Sequence, residues 1–220
     1  AGSTPVTPLP DSAAHFRWIA ATATHAFFFV EDVTFGQELW STDGSAAGTR
    51  PVTDFGFHEP FGDNEYSSHL VAGDSRAFFF ATDGIAGVQV WSASSSSGSA
   101  SPVVEVCPET YCFYETWLEI IGSQLFFLRE DPNLGMAVWT SDGTAAGTEM
   151  LLHSSRAFYG SASLIRDLGS QVLSGTDDVV AISNSTLAVS VLVAGATPNS
   201  SASIGSSVLF SVSAWSAVSF

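Results

Sequence analysis

The chain has 220 residues, 45% of them hydrophobic, which is enough to bury one substantial core or two small ones. Its 22 acidic residues stand against six basic ones, all of them arginine, and the formal net charge is −16. A surface this acidic repels phosphate backbones and anionic head groups, so we expect no nucleic-acid partner; no apolar run approaches the roughly 20 residues of a transmembrane helix, so we expect no direct membrane insertion.

The first unit of the chain is predicted to contain four short β-strands. Their sequences are FRWIAAT, AFFFVE, QELWST and PVTDF, all between residues 16 and 55. Aromatic and β-branched residues favour strands, and the Gly, Asp, Ser and Asn residues between these runs favour turns. No helical periodicity competes with this interpretation.

The same rhythm recurs along the chain. Trp40, Trp91 and Trp139 are 51 and 48 residues apart, and each follows an apolar triplet: FFF at 27–29, FFF at 78–80 and LFF at 125–127. Fainter triplets follow as VLS at 172–174 and VLF at 208–210. A period of about 45–50 residues with four strands per period is typical of a β-propeller.

We therefore predict an all-β fold, a five-bladed β-propeller of four-stranded antiparallel blades that forms a single domain. The predicted blades are about 16–55, 67–106, 115–154, 161–195 and 200–220 with 3–9. The last copy supplies only three strands, whereas TPVTPL near the N-terminus resembles the outer strands RPVTDF and SPVVEV. We expect this N-terminal strand to complete the last blade and close the ring, because closure removes exposed sheet edges.

A twelve-residue motif occurs twice, as ELWSTDGSAAGT at 38–49 and AVWTSDGTAAGT at 137–148. Asp-Gly favours a chain reversal, because Gly accepts positive φ and Asp bonds to nearby backbone N–H groups. We expect the tryptophans to wedge between adjacent blades and the motif to be structural rather than catalytic. The predicted structural residues are Trp40, Asp43, Gly44, Gly48, Trp91, Trp139, Asp142, Gly143 and Gly147.

These two copies resemble the ELWxxDGTxxGT repeat of secreted bacterial proteins, which is frequent in myxobacteria. The upstream stretches FFFVEDVTFGQELW and LFFLREDPNLGMAVW resemble that family's order of apolar run, acidic turn, glycine and motif. The second copy, VWSASSSSGSA, keeps the tryptophan and a glycine but lacks Asp-Gly, and the last two copies depart further. The resemblance implies a secreted or surface-attached, propeller-like repeat protein; the family has no settled activity to carry over.

The loops that join one blade to the next are the longest and least alike, and they are rich in aromatic residues. Loop variability on a rigid scaffold is where binding usually resides, and aromatic rings offer a large contact area to a protein or a sugar. We expect about half of these rings to fold inward as loop cores. The candidate binding residues are Phe57, Phe61, Tyr66, Tyr111, Tyr114, Phe158 and Tyr159.

Two further features concern sulfur and carboxylates. Cys107 and Cys112 lie in one short loop, CPETYC, which favours a local disulfide and an oxidising compartment; free thiols are the alternative. Acidic residues recur in the middle hairpins, where each is expected to cap its own turn, and a ring of calcium ligands is the less favoured interpretation. These residues are Asp32, Asp83, Asp131 and Asp177.

The favoured function is a non-catalytic, secreted, periplasmic or cell-surface propeller that needs no cofactor. It would act as an interaction or scaffold module for a protein partner or surface glycan, and as a possible subunit of a larger extracellular assembly. A carbohydrate-binding lectin is the alternative. A glycosidase-like enzyme, which would need a carboxylate pair such as Glu119 and Asp167, is the third hypothesis.

Overall fold

The computed structural model describes residues 15–32, 36–53, 70–82, 87–107, 118–131, 135–153, 166–167, 171–175, 179–183, 189–193, 197–204 and 207–213. Side chains are described for 16–31, 37–53, 70–82, 87–106, 118–129 and 137–151. Every regular element in this part of the chain is a β-strand, so the predicted all-β class is confirmed.

Four antiparallel sheets of four strands each follow one another along the chain. The first contains β1 (His15–Ala21), β2 (Ala26–Asp32), β3 (Gly36–Thr42) and β4 (Arg50–Pro51). The second contains β5 (Leu70–Ala72), β6 (Arg76–Ala81), β7 (Val88–Ser94) and β8 (Ala100–Cys107). The third contains β9 (Leu118–Ile121), β10 (Gln124–Asp131), β11 (Gly135–Ser141) and β12 (Thr148–His153). The fourth contains β13 (Arg166–Asp167), β14 (Gln171–Gly175), β15 (Val179–Ser183) and β16 (Val189–Val193).

Within each of these sheets, consecutive strands are neighbours, which is the meander of a propeller blade. The predicted four-stranded antiparallel unit is therefore confirmed for the first four copies, including the fourth, where the sequence motif is lost. A two-stranded sheet follows, formed by β17 (Thr197–Ile204) and β18 (Ser207–Ser213).

The outer strand of the first sheet is shorter than the predicted PVTDF run. Beyond Pro51, the backbone N–H groups of Val52 and Thr53 both donate to the carbonyl oxygen of Leu39, at 2.7 and 3.3 Å. The Thr53 hydroxyl in turn accepts the N–H of Leu39 at 2.8 Å. The Thr53 hydroxyl thus takes the place of a backbone carbonyl as the acceptor for the Leu39 N–H, and the pairing of β3 with β4 ends at Pro51.

By its packing, the chain divides into two compact units. One comprises Ala1–Phe127 with Ser141–Thr148, and the other Leu128–Thr140 with Glu149–Phe220, so the division crosses the third sheet. Within the second unit, Leu128, Ala137 and Val138 are buried, and the Arg129 guanidinium lies 4.7 Å above the ring of Trp139.

The first unit has an aromatic core between the first and second sheets. Phe27, Phe29 and Leu39 from the first sheet form one cluster with Phe79 and Trp91 from the second. The rings of Phe29 and Phe79 meet edge to face at 5.6 Å, and Phe79 stacks on Trp91 at 6.4 Å. Side chains alternate between the two faces of a strand, so in each Phe triplet the first and third rings face one way and the second faces the other. A wholly apolar triplet therefore suits a strand covered on both faces, as in β6, where Phe78, Phe79 and Phe80 are all buried.

Candidate functional site

The Asp-Gly motifs form two hairpin turns with the same hydrogen bonds. In the first, Asp43 Oδ1 accepts the backbone N–H and the hydroxyl of Ser45, at 2.8 and 2.7 Å. Gly48 N–H donates to the Ser45 hydroxyl oxygen at 2.9 Å, and the Thr49 hydroxyl donates to the Ser45 carbonyl at 2.7 Å. Each donor and acceptor of this turn lies within seven residues of the others.

The second turn repeats the first, with threonine in place of serine. Asp142 Oδ1 accepts the N–H and the hydroxyl of Thr144 at 2.9 and 2.7 Å, and Gly147 N–H donates to that hydroxyl oxygen at 3.0 Å. The Thr148 hydroxyl donates to the Thr144 carbonyl oxygen at 2.6 Å, as Thr49 does to Ser45 in the first turn.

The four glycines of these turns are required for two different reasons. Gly44 and Gly143 have φ of 91° and 90°, which L-residues with a side chain rarely adopt. Gly48 and Gly147 do not have a positive φ. A Cβ on Gly48 would instead collide with the carboxylate of Asp43, and a Cβ on Gly147 with that of Asp142. The second glycine of each motif therefore makes room for the aspartate.

Both aspartates are held as carboxylates by their own turns. The hydroxyl and the N–H of Ser45, which donate to Asp43, hold the pKa of that carboxyl below its usual value. Thr144 lowers the pKa of Asp142 in the same way. General acid catalysis needs a carboxyl group with a raised pKa, so neither aspartate is suited to that role.

The equivalent turn of the second sheet is built from serines. Gly98 N–H donates to the Ser94 carbonyl at 2.9 Å, and Ser94 N–H donates to the Ser99 carbonyl at 3.1 Å. Gly98 has a φ of 60°, and a Cβ there would collide with the guanidinium of Arg50 from the first sheet. The loss of Asp-Gly from this copy thus leaves the chain reversal intact.

The three tryptophans occupy different surroundings. Trp91 lies in the cluster between the first two sheets and is 9% exposed. Trp40 is half-buried in β3 and lies opposite Phe28 of β2. Both are on the face of the first sheet that points away from that cluster. Trp139 is half-buried beneath Arg129.

The first sheet presents an apolar surface to solvent on the side opposite the cluster. We call this surface the exposed face; it consists of Phe16, Ile19, Phe28 and Trp40. Ile19 is 75% exposed and Phe16 55%, and the ring centroids of Phe16 and Phe28 are 5.9 Å apart. Trp18, which precedes Ile19 in β1, is 45% exposed and has a φ of 51°.

The exposed face is not predicted from the sequence, because FRWIAAT has the composition of an ordinary inner strand. Phe16 and Ile19 are three residues apart and should therefore lie on opposite faces. A bulge between Arg17 and Ile19 shifts the alternation by one residue, so that Phe16 pairs with Val30 and Ile19 with Phe28. The odd spacing of two large apolar residues in one strand was the available signal.

Three acidic residues bear on the enzyme hypothesis: the predicted pair Glu119 and Asp167, and Glu38. Glu38 is buried and accepts the Thr53 hydroxyl at 2.8 Å. Glu119 is exposed on β9, opposite Phe126. Asp167 lies in β13, where only the backbone is described.

The remaining predicted site residues lie wholly or partly outside the described side chains. Cys107 ends β8, and Asp32 and Asp131 end β2 and β10; their backbones alone are described. Outside the described residues are Cys112, Asp83, Asp177, Phe57, Phe61, Tyr66, Tyr111, Tyr114, Phe158 and Tyr159.

Two features are absent among the described residues. These residues contain no group of three or more His, Cys, Asp and Glu side chains that could hold a metal ion. No helix long and apolar enough to cross a membrane occurs among them.

Comparisons with known proteins give structural neighbours only. No protein-family model matches the chain, and no curated protein matches it. TolB from Acinetobacter baumannii has a TM-score of 0.47 at 12% identity over 91% of this chain. The uncharacterized protein lmo1340 from Listeria monocytogenes has a TM-score of 0.46 at 10% identity over 90%. An acylaminoacyl peptidase from Pyrococcus horikoshii has a TM-score of 0.45 at 13% identity over 84%.

The chain spans about half the length of the TolB chain (52%), 58% of lmo1340 and 33% of the peptidase. Each of these TM-scores is below 0.5, and the chain's own sheets and strand register define its fold. No function is transferred from these proteins.

Proposed function

We propose that the chain is a five-bladed β-propeller, closed by its N-terminal strand, that acts as a non-catalytic interaction or scaffold module. The observation that carries this proposal is that the carboxylates of the repeated motif already accept hydrogen bonds from their own turns. Asp43 and Asp142, the acidic residues of the most regular motif, are bonded within their own turns. The repeated motif therefore has a structural role, and the loops between the blades are the proposed binding surface.

The binding surface in this proposal is the set of aromatic inter-blade loops. Three of these loops carry the candidates Phe57, Phe61, Tyr66, Tyr111, Tyr114, Phe158 and Tyr159. With a net charge of −16, the module favours neutral or basic partners, because acidic ones are repelled. The proposed location is secreted, periplasmic or at the cell surface, on the grounds of the closely spaced Cys107 and Cys112.

Cross-linking in the native source, followed by identification of the linked peptides, tests the proposal. Three variants, each with the aromatic residues of one loop changed to Ser, are compared with the wild type. The matched control is Met150→Ser, which removes an exposed apolar side chain from β12. We expect one partner to link through a loop and to be lost from that loop's variant but retained by the control. A partner retained by all three loop variants would contradict the proposal.

Two other outcomes would identify the alternative functions. Saccharide binding on a glycan array that is abolished by Tyr111→Ala, Tyr114→Ala or Tyr159→Ala would identify a lectin. Glycoside hydrolysis that is lost in both Glu119→Gln and Asp167→Asn would identify an enzyme.

Closure of the ring is tested separately. Deleting residues 1–9 should lower the melting temperature, because it removes the strand proposed to complete the last blade. An unchanged melting temperature would contradict closure by this segment.

A further inference from the structure

The first and second sheets share one strand register but differ in what covers them. Ile19, Phe28 and Trp40 lie opposite one another on neighbouring strands of the first sheet. In the second sheet, the residues at the same three positions pack into the cluster between the sheets, where Phe79 is fully buried and Trp91 is 9% exposed. Ile19, by contrast, is 75% exposed. The chain itself therefore leaves this part of the first sheet open to solvent.

A bulge in β1 enlarges the exposed face. It shifts the pairing between Arg17 and Ile19, so that Phe16 and Ile19 lie on the same side of the sheet, where a regular strand would separate them. Trp18, at the bulge, has a φ of 51°, which is unfavourable for a bulky residue. Strained backbone positions of this kind cluster at functional sites, which points to a use for the apolar side chains gathered here.

The exposed apolar area is large enough to matter for an interface. Phe16, Trp18 and Ile19 are 55%, 45% and 75% exposed, which corresponds to roughly 350 Å² of apolar surface for side chains of about 150–250 Å² each. Phe28 and Trp40, both half-buried, add to this area. A homodimer interface of standard size buries about 800 Å² per copy, of which about 65%, or roughly 500 Å², is apolar. The exposed face and Trp18 thus supply most of the apolar area that one half of a stable dimer needs.

The molecule shows what packs well on a sheet face of this composition. In the cluster of the first unit, Phe27, Phe29 and Leu39 of the first sheet cover Phe79 and Trp91 of the second. The rings of Phe29 and Phe79 meet edge to face at 5.6 Å. A face of phenylalanine, tryptophan and aliphatic side chains is thus complementary to another face of the same residue types. In a second copy of the chain, the exposed face is such a surface.

The charge of the exposed face permits contact between two copies. Among the described side chains on this side of β2 and β3, Glu38 is the one ionisable residue; it is buried and accepts the hydroxyl of Thr53 at 2.8 Å. Two such faces can therefore meet without bringing exposed carboxylates together. The acidic remainder of the surface repels a second copy, since the chain has a net charge of −16, and this favours association through the uncharged face.

We propose that a second copy of this chain covers the exposed face, with two first sheets packed against each other about a two-fold axis. The contact is isologous, because the same residues of both copies form it and neither copy needs a further surface. The inference goes beyond the proposed function, since it assigns this face to self-association and leaves the aromatic loops to the partner.

Analytical ultracentrifugation over a wide range of protein concentrations tests the proposal. The wild type should form dimers, and Ile19→Asp should raise the dimer dissociation constant at least about tenfold, because both copies then bury a carboxylate at the contact. The matched control is Met150→Asp, which adds the same charge at an exposed apolar position of β12 and should leave the constant within about twofold of the wild type. Added salt should strengthen the wild-type dimer, because it screens the repulsion between two acidic chains. Circular dichroism checks that each variant is folded.

Cross-linking locates the contact on the chain. A short bismaleimide should join two Ile19→Cys chains, since facing sheets lie about 10 Å apart. Met150→Cys is the control for an exposed position elsewhere, and the unaltered chain shows any linking through Cys107 and Cys112. Of the three proteins, Ile19→Cys alone should give a covalent dimer above the level of the unaltered chain.

Four outcomes would overturn the proposal. A wild type that is monomeric at every concentration would show that no second copy binds the face. Dimers with the same dissociation constant in Ile19→Asp would place the contact elsewhere. A monomer whose melting temperature falls in Ile19→Asp but not in Met150→Asp would show that the chain covers the face itself. Loss in Ile19→Asp of a different protein that the monomeric wild type binds would assign the face to that protein.

Discussion

The edge-to-face contact between Phe29 and Phe79 should be measurable as a coupling between the first two sheets. Both rings are fully buried, and their centroids are 5.6 Å apart. Phe29→Leu and Phe79→Leu each keep most of the buried volume, so each should cost about 1–2 kcal/mol of the free energy of unfolding. Such an aromatic pair is worth about 0.5–1.5 kcal/mol beyond the buried area. The loss of stability in the double variant should therefore be about 1 kcal/mol smaller than the sum of the two single losses. This corresponds to roughly a fivefold difference in the unfolding equilibrium constant.

Urea denaturation of the four proteins in the cycle provides the assay. Tryptophan fluorescence and far-ultraviolet circular dichroism are followed together, so that a stepwise transition is recognised. The matched control is a second cycle with Phe78→Leu, since Phe78 is also buried but lies on the opposite face of β6. Its coupling to Phe29 should be within about 0.5 kcal/mol of zero. Equal couplings in the two cycles would refute the assignment of faces on which the core description depends.

Three further predictions concern the turns and the buried carboxylate. Gly147→Ala should lower the melting temperature in the wild type but not in an Asp142→Ala background, because the added Cβ collides with that carboxylate; equal losses in both would contradict the steric reason. Because hydrogen bonds lower the pKa of Asp43 and Asp142 from 3.8, the stability that each carboxylate adds should be present above pH 3.8 and lost as the pH falls through the lowered value. The stability difference from the Asn variants should therefore vanish at low pH in melting curves, and a difference that persists at pH 2 would count against this origin. Thr53→Val should cost about 2–3 kcal/mol in urea denaturation, because it leaves Glu38 and a backbone N–H without their bonds to the hydroxyl, whereas Thr53→Ser should cost little.

The strand rhythm could be predicted from the sequence because it depends on local chemistry. Asp43-Gly44 and Asp142-Gly143 specify their reversals through bonds to residues two positions away. The apolar triplets at 78–80 and 125–127 specify central strands that are buried on both faces, because successive side chains point to opposite faces. Even the fourth copy, without tryptophan or Asp-Gly, has the predicted four strands.

What the sequence did not reveal depends on contacts that are distant in the chain. The bulge at Trp18 is a property of the pairing between β1 and β2, and the three-residue spacing of Phe16 and Ile19 is the one sign of it within FRWIAAT. The early end of β4 depends on the Thr53 hydroxyl reaching Leu39, fourteen positions back. The aromatic loops carry no repeat, so their residue types suggest binding but specify neither a geometry nor a ligand.

The self-contained bonding of the Asp43 turn has a consequence for how such a chain can diversify. Since all its hydrogen bonds are made among neighbours in sequence, a copied segment carries its hairpin end with it and needs no matching change elsewhere. The serine version in the second sheet shows that one copy can abandon the motif while its sheet persists. Duplication can therefore lengthen such an array and deletion can shorten it, and selection on the loops between the sheets can proceed without changes in the turns.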